Sequence, residues 1–143
     1  MKEAIGELFD QKDFDCIAIT TNATLKKNGE VVMGRGCALQ AKTRWSGFAL
    51  MLGKLIHAYG NHVFPVSRRD SKMVVSFPVK HNYWEEADIE LIKRSCTELM
   101  ELLEGKATCV MPRPGCGNGK LKWEDVKPVI EPLLGDNVTV ITK

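Results

Sequence analysis

The chain has 143 residues, enough for one domain with a hydrophobic core and too few for two. Its formal net charge is only +2, so the composition gives no polyanion-binding tract but is compatible with one small anion bound at one site. No apolar run approaches the roughly 18 residues of a membrane span, and the acidic N-terminal stretch is not typical of a signal peptide. The five cysteines form no CxxC pair and no zinc-like cluster, which predicts reduced thiols in a cytoplasm and no metal site. We also expect a monomer that needs no cofactor.

The first predicted elements are a strand, a loop and a helical segment. Residues 15–22, DCIAITTN, form an apolar run that ends in polar residues, as is typical of a buried strand leading into a loop. Residues 24–36 are rich in Gly, Lys and Asn and predict a loop. From Cys37 to Tyr59 apolar residues recur every three or four positions, which predicts a helix. The stretch WSG at 45–47 is where this helix is expected to divide into two.

Strands and helices continue to alternate in the rest of the chain. The expected elements are a strand at 62–66 and one at 72–79, which form a hairpin or lie side by side, a helix at 86–104, a strand at 108–112, a helix at 123–134 and a strand at 137–142. Gly105 is a natural stop for the helix before it, and Pro128 and Pro132 limit or bend the last helix. The alternation predicts one α/β domain over residues 1–143, with a mixed, mostly parallel central sheet flanked by helices in three layers.

A glycine-rich stretch, PGCGNG at 114–119, lies between a predicted strand and a predicted helix. Consecutive N–H groups of such a loop converge on an anion, although a plain strand-to-helix turn has the same composition. It is not a nucleotide P-loop, because Leu121 stands where that motif needs Ser or Thr, and it is not a dinucleotide fingerprint, because Lys120 replaces the last glycine. A second such loop, MGRGCA at 33–38, also opens a helix. Two loops at the carboxyl ends of strands predict a crevice that grips one diphosphate from both sides.

Three motifs, in order along the chain, resemble those of the macrodomains, the ADP-ribose-binding modules. They are GELFDQKDFDCIAITTNATL at 6–25, similar to the family's opening motif, VMGRGCALQAK at 32–42, similar to its first ligand loop, and PRPGCGNGKLKWEDVKPVIEPLL at 112–134, similar to its diphosphate loop. The stretch FPVKHNYWEEADIELI at 77–92 resembles the branch of terminal ADP-ribose glycohydrolases and of antitoxin macrodomains that remove ADP-ribose from DNA. The resemblance implies that the substrate is ADP-ribose or an ADP-ribosylated macromolecule, cleaved at C1″ of the distal ribose.

The resemblance also assigns residues to roles. It implies that Lys80 and Asn22 are catalytic and that Asn22 also binds the distal ribose hydroxyls. The implied contacts to the rest of ADP-ribose form three groups. The adenine contacts are Glu7, Leu8 and Phe9, and the contacts to the distal ribose and diphosphate are Gly34, Arg35, Gly36 and Cys37. The loop that binds the diphosphate consists of Pro114, Gly115, Cys116, Gly117, Asn118 and Gly119. No metal and no dedicated nucleic-acid patch is expected.

Two positions depart from the pattern that the resemblance implies. The first Asn of the family's N-A-A-N motif is Ile19 here, and the aspartate that acts with the lysine in the protein glycohydrolase of this branch is Gly119. Glycine at that position is also typical of the antitoxin-like members. Two alternatives to hydrolysis therefore remain at this point, a module that binds ADP-ribose without turnover and a phosphatase acting on ADP-ribose 1″-phosphate. Lys80 itself is either a neutral nucleophile, a charged stabiliser of the leaving group, or a surface lysine after a strand.

Overall fold

The computed structural model describes all 143 residues and contains six strands, four α-helices and one 3-10 turn. In chain order these are β1 (Lys2–Ile5), the 3-10 turn (Leu8–Asp10), β2 (Cys16–Thr21), α1 (Gly36–Arg44), α2 (Phe48–Tyr59), β3 (Pro65–Arg69), β4 (Lys72–Pro78), α3 (Ile89–Leu103), β5 (Cys109–Pro112), α4 (Trp123–Ile130) and β6 (Val138–Thr142). None of the helices combines the length and the apolar composition needed to cross a membrane.

The six strands form one sheet in the order β1-β6-β5-β2-β4-β3. Every neighbouring pair is parallel except β3 and β4, which form an antiparallel hairpin. The predicted mixed, mostly parallel sheet is confirmed. Because β2, β4 and β5 run in the same direction side by side, their carboxyl ends meet at one edge of the sheet, where open α/β sheets bind ligands.

Each face of the sheet carries its own hydrophobic core. Ile17 and Ile19 of β2 pack with α1 and α2 on one face, while Ala18 faces α3 and α4 on the other. The near-continuous apolar run of β2 is explained by this arrangement, since a strand covered on both faces buries successive side chains alternately on each side. The predicted three-layer α/β/α architecture is confirmed.

The helix boundaries follow local signals in the sequence. The predicted division at WSG is confirmed, because α1 ends at Arg44 and α2 begins at Phe48 after Gly47, whose φ is +82°. Helix α3 begins after Asp88, whose side chain accepts a hydrogen bond from the N–H of Glu90. Gly105, with a φ of +67°, follows its end as predicted.

Three elements differ from the sequence-based expectation. Strand β1 was not expected, because residues Lys2–Ile5 have no alternating apolar pattern and are mostly exposed. The strand forms because it pairs with β6 at the other end of the chain. Strand β3 covers Pro65–Arg69 and not the predicted 62–66, and the hairpin turn is only Asp70 and Ser71, both with positive φ. Helix α4 ends at Ile130 rather than at residue 134, because Pro132 has no N–H to continue the helical bonding.

Candidate functional site

A cleft of about 640 Å³ lies at the carboxyl ends of the central strands, a volume typical of small-molecule sites. Three segments line it, the loop after β2 with the start of α1, the loop after β4, and the loop after β5. The two glycine-rich loops of the sequence therefore flank one cleft.

The first jaw of the cleft is the start of α1. The main-chain N–H groups of Gly36, Cys37 and Ala38 have no acceptor within the protein, and no side chain caps the helix. No acidic residue occurs in its first turn, while Arg35 directly precedes it and also lines the cleft. Free N–H groups at a helix N-terminus bind anions, because the helix dipole adds a partial positive charge to them.

The second jaw is the loop after β5. Hydrogen bonds from the Leu121 N–H to the Gly115 carbonyl, at 2.9 Å, and from the Lys120 N–H to the Gly117 carbonyl, at 3.0 Å, fold the loop back on itself. The N–H groups of Gly117, Asn118 and Gly119 then have no acceptor within the protein. Successive free N–H groups in a turn form an anion-binding concavity.

The two jaws approach each other closely. Gly36 has a φ of +58°, and a Cβ added to it would lie 3.2 Å from Nδ2 of Asn118. Glycine is therefore required at position 36 by its backbone conformation and favoured by the space beside Asn118. This proximity places six unpaired N–H groups around one cleft.

Gly119 is enclosed on the side where a side chain would project. A Cβ at this position would lie 2.6 Å from the carbonyl oxygen of Gly115 and 2.8 Å from Cβ of Ala87. Neither contact is relieved by rotating a flexible side chain. The site therefore has no room for the aspartate that stands here in the glycohydrolase pattern.

Ile19, the other departure from that pattern, is fully buried and belongs to the core between the sheet and helices α1 and α2. It does not line the cleft. The position therefore serves packing in this chain.

Asn22 lines the cleft, but its side chain already has partners in the protein. Its Nδ2 donates to the carbonyl of Val32 at 3.0 Å, and its Oδ1 accepts from the N–H of Thr24 at 3.0 Å. An amide side chain has two donors and two acceptor sites, so one donor and one lone pair remain for a ligand.

Lys80 follows β4 and lines the same cleft. Its Nζ donates to the carbonyl oxygen of Tyr83 at 3.3 Å. Partial burial, followed by repulsion from Arg35 and Lys120, lowers the pKa of the Lys80 amine below its ordinary value of 10.5. The lowered pKa increases the fraction of neutral amine, which is the nucleophilic form.

Sequence reasoning missed several cleft residues in the loop after β4. Tyr83 and Trp84 are 52% and 67% exposed, lie 5.2 Å apart in an edge-to-face arrangement, and line the cleft next to Lys80. Trp84 is therefore largely exposed at the cleft and does not cover the sheet. The signal in the sequence was the pair of aromatic residues in a short strand-to-helix connection. Lys120, to which no motif assigned a role, also lines the cleft.

The expected adenine residues do not line this cleft. Glu7 and Phe9 line a second concavity, of about 670 Å³, beside Leu39 and Thr43 of α1. Leu8 is 8% exposed and packs in the core. The Glu7 carboxylate forms an exposed ion pair of 3.6 Å with Lys143, and the Arg44 guanidinium lies over the Phe9 ring.

Two residues of the second loop support the site without lining it. Pro114 is buried, and Cys116 donates from its Sγ to the Pro114 carbonyl at 3.5 Å. Burial raises the pKa of the Cys116 thiol, and burial also raises the pKa of the Cys37 thiol in the first jaw. Both cysteines therefore favour the neutral thiol, which suits packing rather than nucleophilic attack.

No group of three or more His, Cys, Asp or Glu side chains is arranged to hold a metal ion.

No protein-family model and no curated protein matches the sequence, but solved structures match the fold. The macrodomain of Thermus aquaticus DarG has a TM-score of 0.80 and 23% identity over 99% of this chain and 95% of that one. The macrodomain of Mycobacterium tuberculosis DarG has a TM-score of 0.75 and 26% identity over 96% and 93%. Thermosipho africanus DarTG in complex with ADP-ribose has a TM-score of 0.78 and 17% identity over 100% of this chain and 42% of that one. This chain therefore has the macrodomain fold.

Proposed function

We propose that this chain binds ADP-ribose and hydrolyses ADP-ribosyl conjugates at C1″ of the distal ribose. One observation carries the proposal. The two loops with unpaired N–H groups and the Lys80 amine, whose pKa is lowered, line one cleft. The likeness to Thermosipho africanus DarTG, solved in complex with ADP-ribose, supports the choice of ligand.

The ligand's diphosphate matches the donors of the two jaws. The N–H groups of Gly36 to Ala38 and of Gly117 to Gly119 donate to phosphate oxygens, and Arg35 adds a positive charge beside them. The remaining donor and lone pair of Asn22 suit a sugar hydroxyl, which both accepts and donates hydrogen bonds.

Lys80 provides the chemistry at C1″ in one of two ways. As a neutral amine, its Nζ attacks C1″, the bond from C1″ to the acceptor breaks, and the acceptor leaves with the electron pair and takes up a proton. Water then attacks C1″ and releases both ADP-ribose and the amine. As a charged ammonium, Lys80 instead stabilises negative charge on the departing acceptor while water attacks C1″. The lowered pKa of Lys80 favours the first route.

The decisive experiment compares the wild type with Lys80→Ala and Lys80→Arg on ADP-ribosylated protein and on ADP-ribosylated DNA. We expect wild-type release of ADP-ribose from one of these substrates and loss of turnover in Lys80→Ala, with ADP-ribose affinity largely retained. Lys80→Arg keeps the charge but has no neutral amine, so its activity separates the two routes. Full activity of Lys80→Ala would show that Lys80 has no catalytic role.

A second candidate function, binding without turnover, is favoured by the packing around Gly119. The closed space there excludes an aspartate at position 119, and Ile19 provides no polar group. Tight ADP-ribose binding by calorimetry, with no product from any conjugate, would select this function. Phosphate release from ADP-ribose 1″-phosphate would instead identify a phosphatase.

A further inference from the structure

Thr24, in the loop after β2, uses all of its polar groups in hydrogen bonds, two within its own loop and two to the loop after β4. Its N–H donates to Oδ1 of Asn22 at 3.0 Å, and its carbonyl accepts from the N–H of Val32 at 2.9 Å. Its hydroxyl accepts from the N–H of Tyr83 at 3.1 Å and donates to Oδ1 of Asn82 at 3.4 Å. Thr24 therefore joins the loop that carries Asn22 to the loop that carries Lys80.

The loop after β4 also holds the amine of Lys80. The Tyr83 carbonyl is the single hydrogen-bond acceptor of Lys80 Nζ within the protein, at 3.3 Å. The main chain of Lys80 is held separately, since Nδ2 of Asn61 donates to the Lys80 carbonyl at 3.1 Å. The Asn61 contact fixes the position of the Lys80 main chain, whereas the Tyr83 contact is the only one that fixes the position of the Lys80 Nζ atom.

We propose that Thr24 is a positioning residue for Lys80. By holding the amide of Tyr83, the Thr24 hydroxyl orients the carbonyl that receives the Lys80 amine. A lysine side chain has four rotatable bonds, and an amine misplaced by about 1 Å loses on the order of 100-fold in rate. The same residue holds the Asn22 amide, so the ribose-facing side chain and the reacting amine share one support. This inference rests on the proposed hydrolase function.

The experiment compares Thr24→Val, which keeps the shape but removes both hydroxyl contacts, with Thr24→Ser, which restores a hydroxyl. The matched control is Thr139→Val, a half-buried threonine of β6 whose hydroxyl has no partner in the protein. For each variant, kcat and KM on the conjugate that the wild type cleaves are measured beside the calorimetric Kd of ADP-ribose. Thr24→Ala repeats the test without a branched apolar side chain, should Thr24→Val fold poorly.

We expect Thr24→Val to lower kcat by about 10- to 100-fold with KM and Kd changed less than about threefold, and Thr24→Ser to recover most of kcat. Thr139→Val keeps both parameters. Unchanged kcat in Thr24→Val and Thr24→Ala overturns the inference while leaving the hydrolase intact. Parallel loss of kcat and affinity, without rescue by serine, also overturns it, because it indicates collapse of the loop. A wild type that binds ADP-ribose but cleaves no conjugate overturns the hydrolase proposal itself, and this inference with it.

Discussion

The main-chain N–H of Ala87 donates a hydrogen bond to the carbonyl oxygen of Gly119, with nitrogen and oxygen 3.0 Å apart. The next residue, Asp88, donates from its own N–H to the Val79 carbonyl at 2.9 Å. The C-terminal end of the segment from Lys80 to Ala87 is therefore held both by the glycine-rich loop after β5 and by Val79, directly after β4. The segment that carries Lys80 and the loop that carries the unpaired N–H groups of Gly117 to Gly119 are therefore joined directly.

Gly119→Ala is expected to destabilise the protein and weaken ADP-ribose binding, because its Cβ would collide with the Gly115 carbonyl and the Ala87 methyl group. Forced packing of this kind typically reduces the free energy of unfolding by about 1–3 kcal/mol. Gly117→Ala is the matched control in the same loop, since a Cβ there meets no atom within 4 Å. Thermal melting and calorimetry measure both effects, and equal behaviour of the two variants would contradict the packing argument.

Lys120→Gln is expected to move the rising limb of the pH–rate profile to higher pH. Lys120 is one of the cations that lower the pKa of Lys80, and its removal lets that pKa rise toward 10.5. At pH values below the midpoint of the profile, a smaller fraction of Lys80 is then neutral, so the rate falls by up to tenfold for each unit by which the pKa rises. The rate on the high-pH plateau is unchanged.

The control for this prediction is Lys122→Gln, an exposed lysine two residues further on that does not line the cleft. It removes the same charge from the chain without changing the surroundings of Lys80. If both variants shift the profile equally, net charge rather than proximity to Lys80 is responsible. If neither does, Lys120 does not influence the titration that controls the rate, and this prediction is wrong.

Asp88 is expected to stabilise α3 in a pH-dependent way. The hydrogen bond from His81 is the main cause that lowers the pKa of the Asp88 carboxyl below 3.8, so the ionised form is favoured in the folded state. The contribution is therefore present above the unfolded pKa and lost as pH falls through the lower folded value. Asp88→Asn keeps an N-cap acceptor but removes the charge, whereas Asp88→Ala also removes the cap and costs about 1 kcal/mol more. Denaturant melts at pH 7 and pH 3 test this, and the wild type and Asp88→Asn should differ less at pH 3.

Gly53→Ala is expected to destabilise the protein although alanine is the better helix former by about 1 kcal/mol. A Cβ on Gly53, inside α2, would lie 1.9 Å from the carbonyl oxygen of Gly29, which belongs to the loop leading to the first jaw. The loop backbone must therefore move, and ADP-ribose affinity should fall with stability. Lys54→Ala, at the exposed neighbouring position, is the control and should leave both unchanged. A Gly53→Ala protein that melts higher than the wild type would contradict the predicted collision.

The elements that the sequence predicted well are those whose pattern reports burial. Strand β2 is a near-continuous apolar run covered on both faces, and helix α3 carries apolar residues at the helical period on the face that is buried. The location of the cleft was also predictable, because two glycine-rich loops that follow parallel strands lie at the same edge of the sheet. Strand β1 has no such pattern and forms through its pairing with β6, which local sequence does not encode.

The parts of the site that escaped prediction depend on distances between segments far apart in the chain. Nothing in the sequence around Thr24 indicates that its hydroxyl contacts Tyr83, which lies 59 residues away. The enclosure of Gly119 depends on the position of Ala87 in another loop, and the sequence showed only that an acid is absent. The implied adenine contacts of Glu7, Leu8 and Phe9 stay a prediction, because a motif fixes the order of these residues but not which of them faces a ligand.

The methyl group of Ala87 and the carbonyl of Gly115 also restrict the order in which mutations can alter this loop. An aspartate introduced at position 119 meets both at once, so one substitution leads to a loop that no longer closes. Ala87→Gly would remove one obstacle and leave the other, since the Gly115 carbonyl belongs to the backbone. An acid at position 119 therefore requires a different backbone conformation of the loop after β5. A loop with glycine at this position and a loop with aspartate there are then expected to differ at more than this one residue.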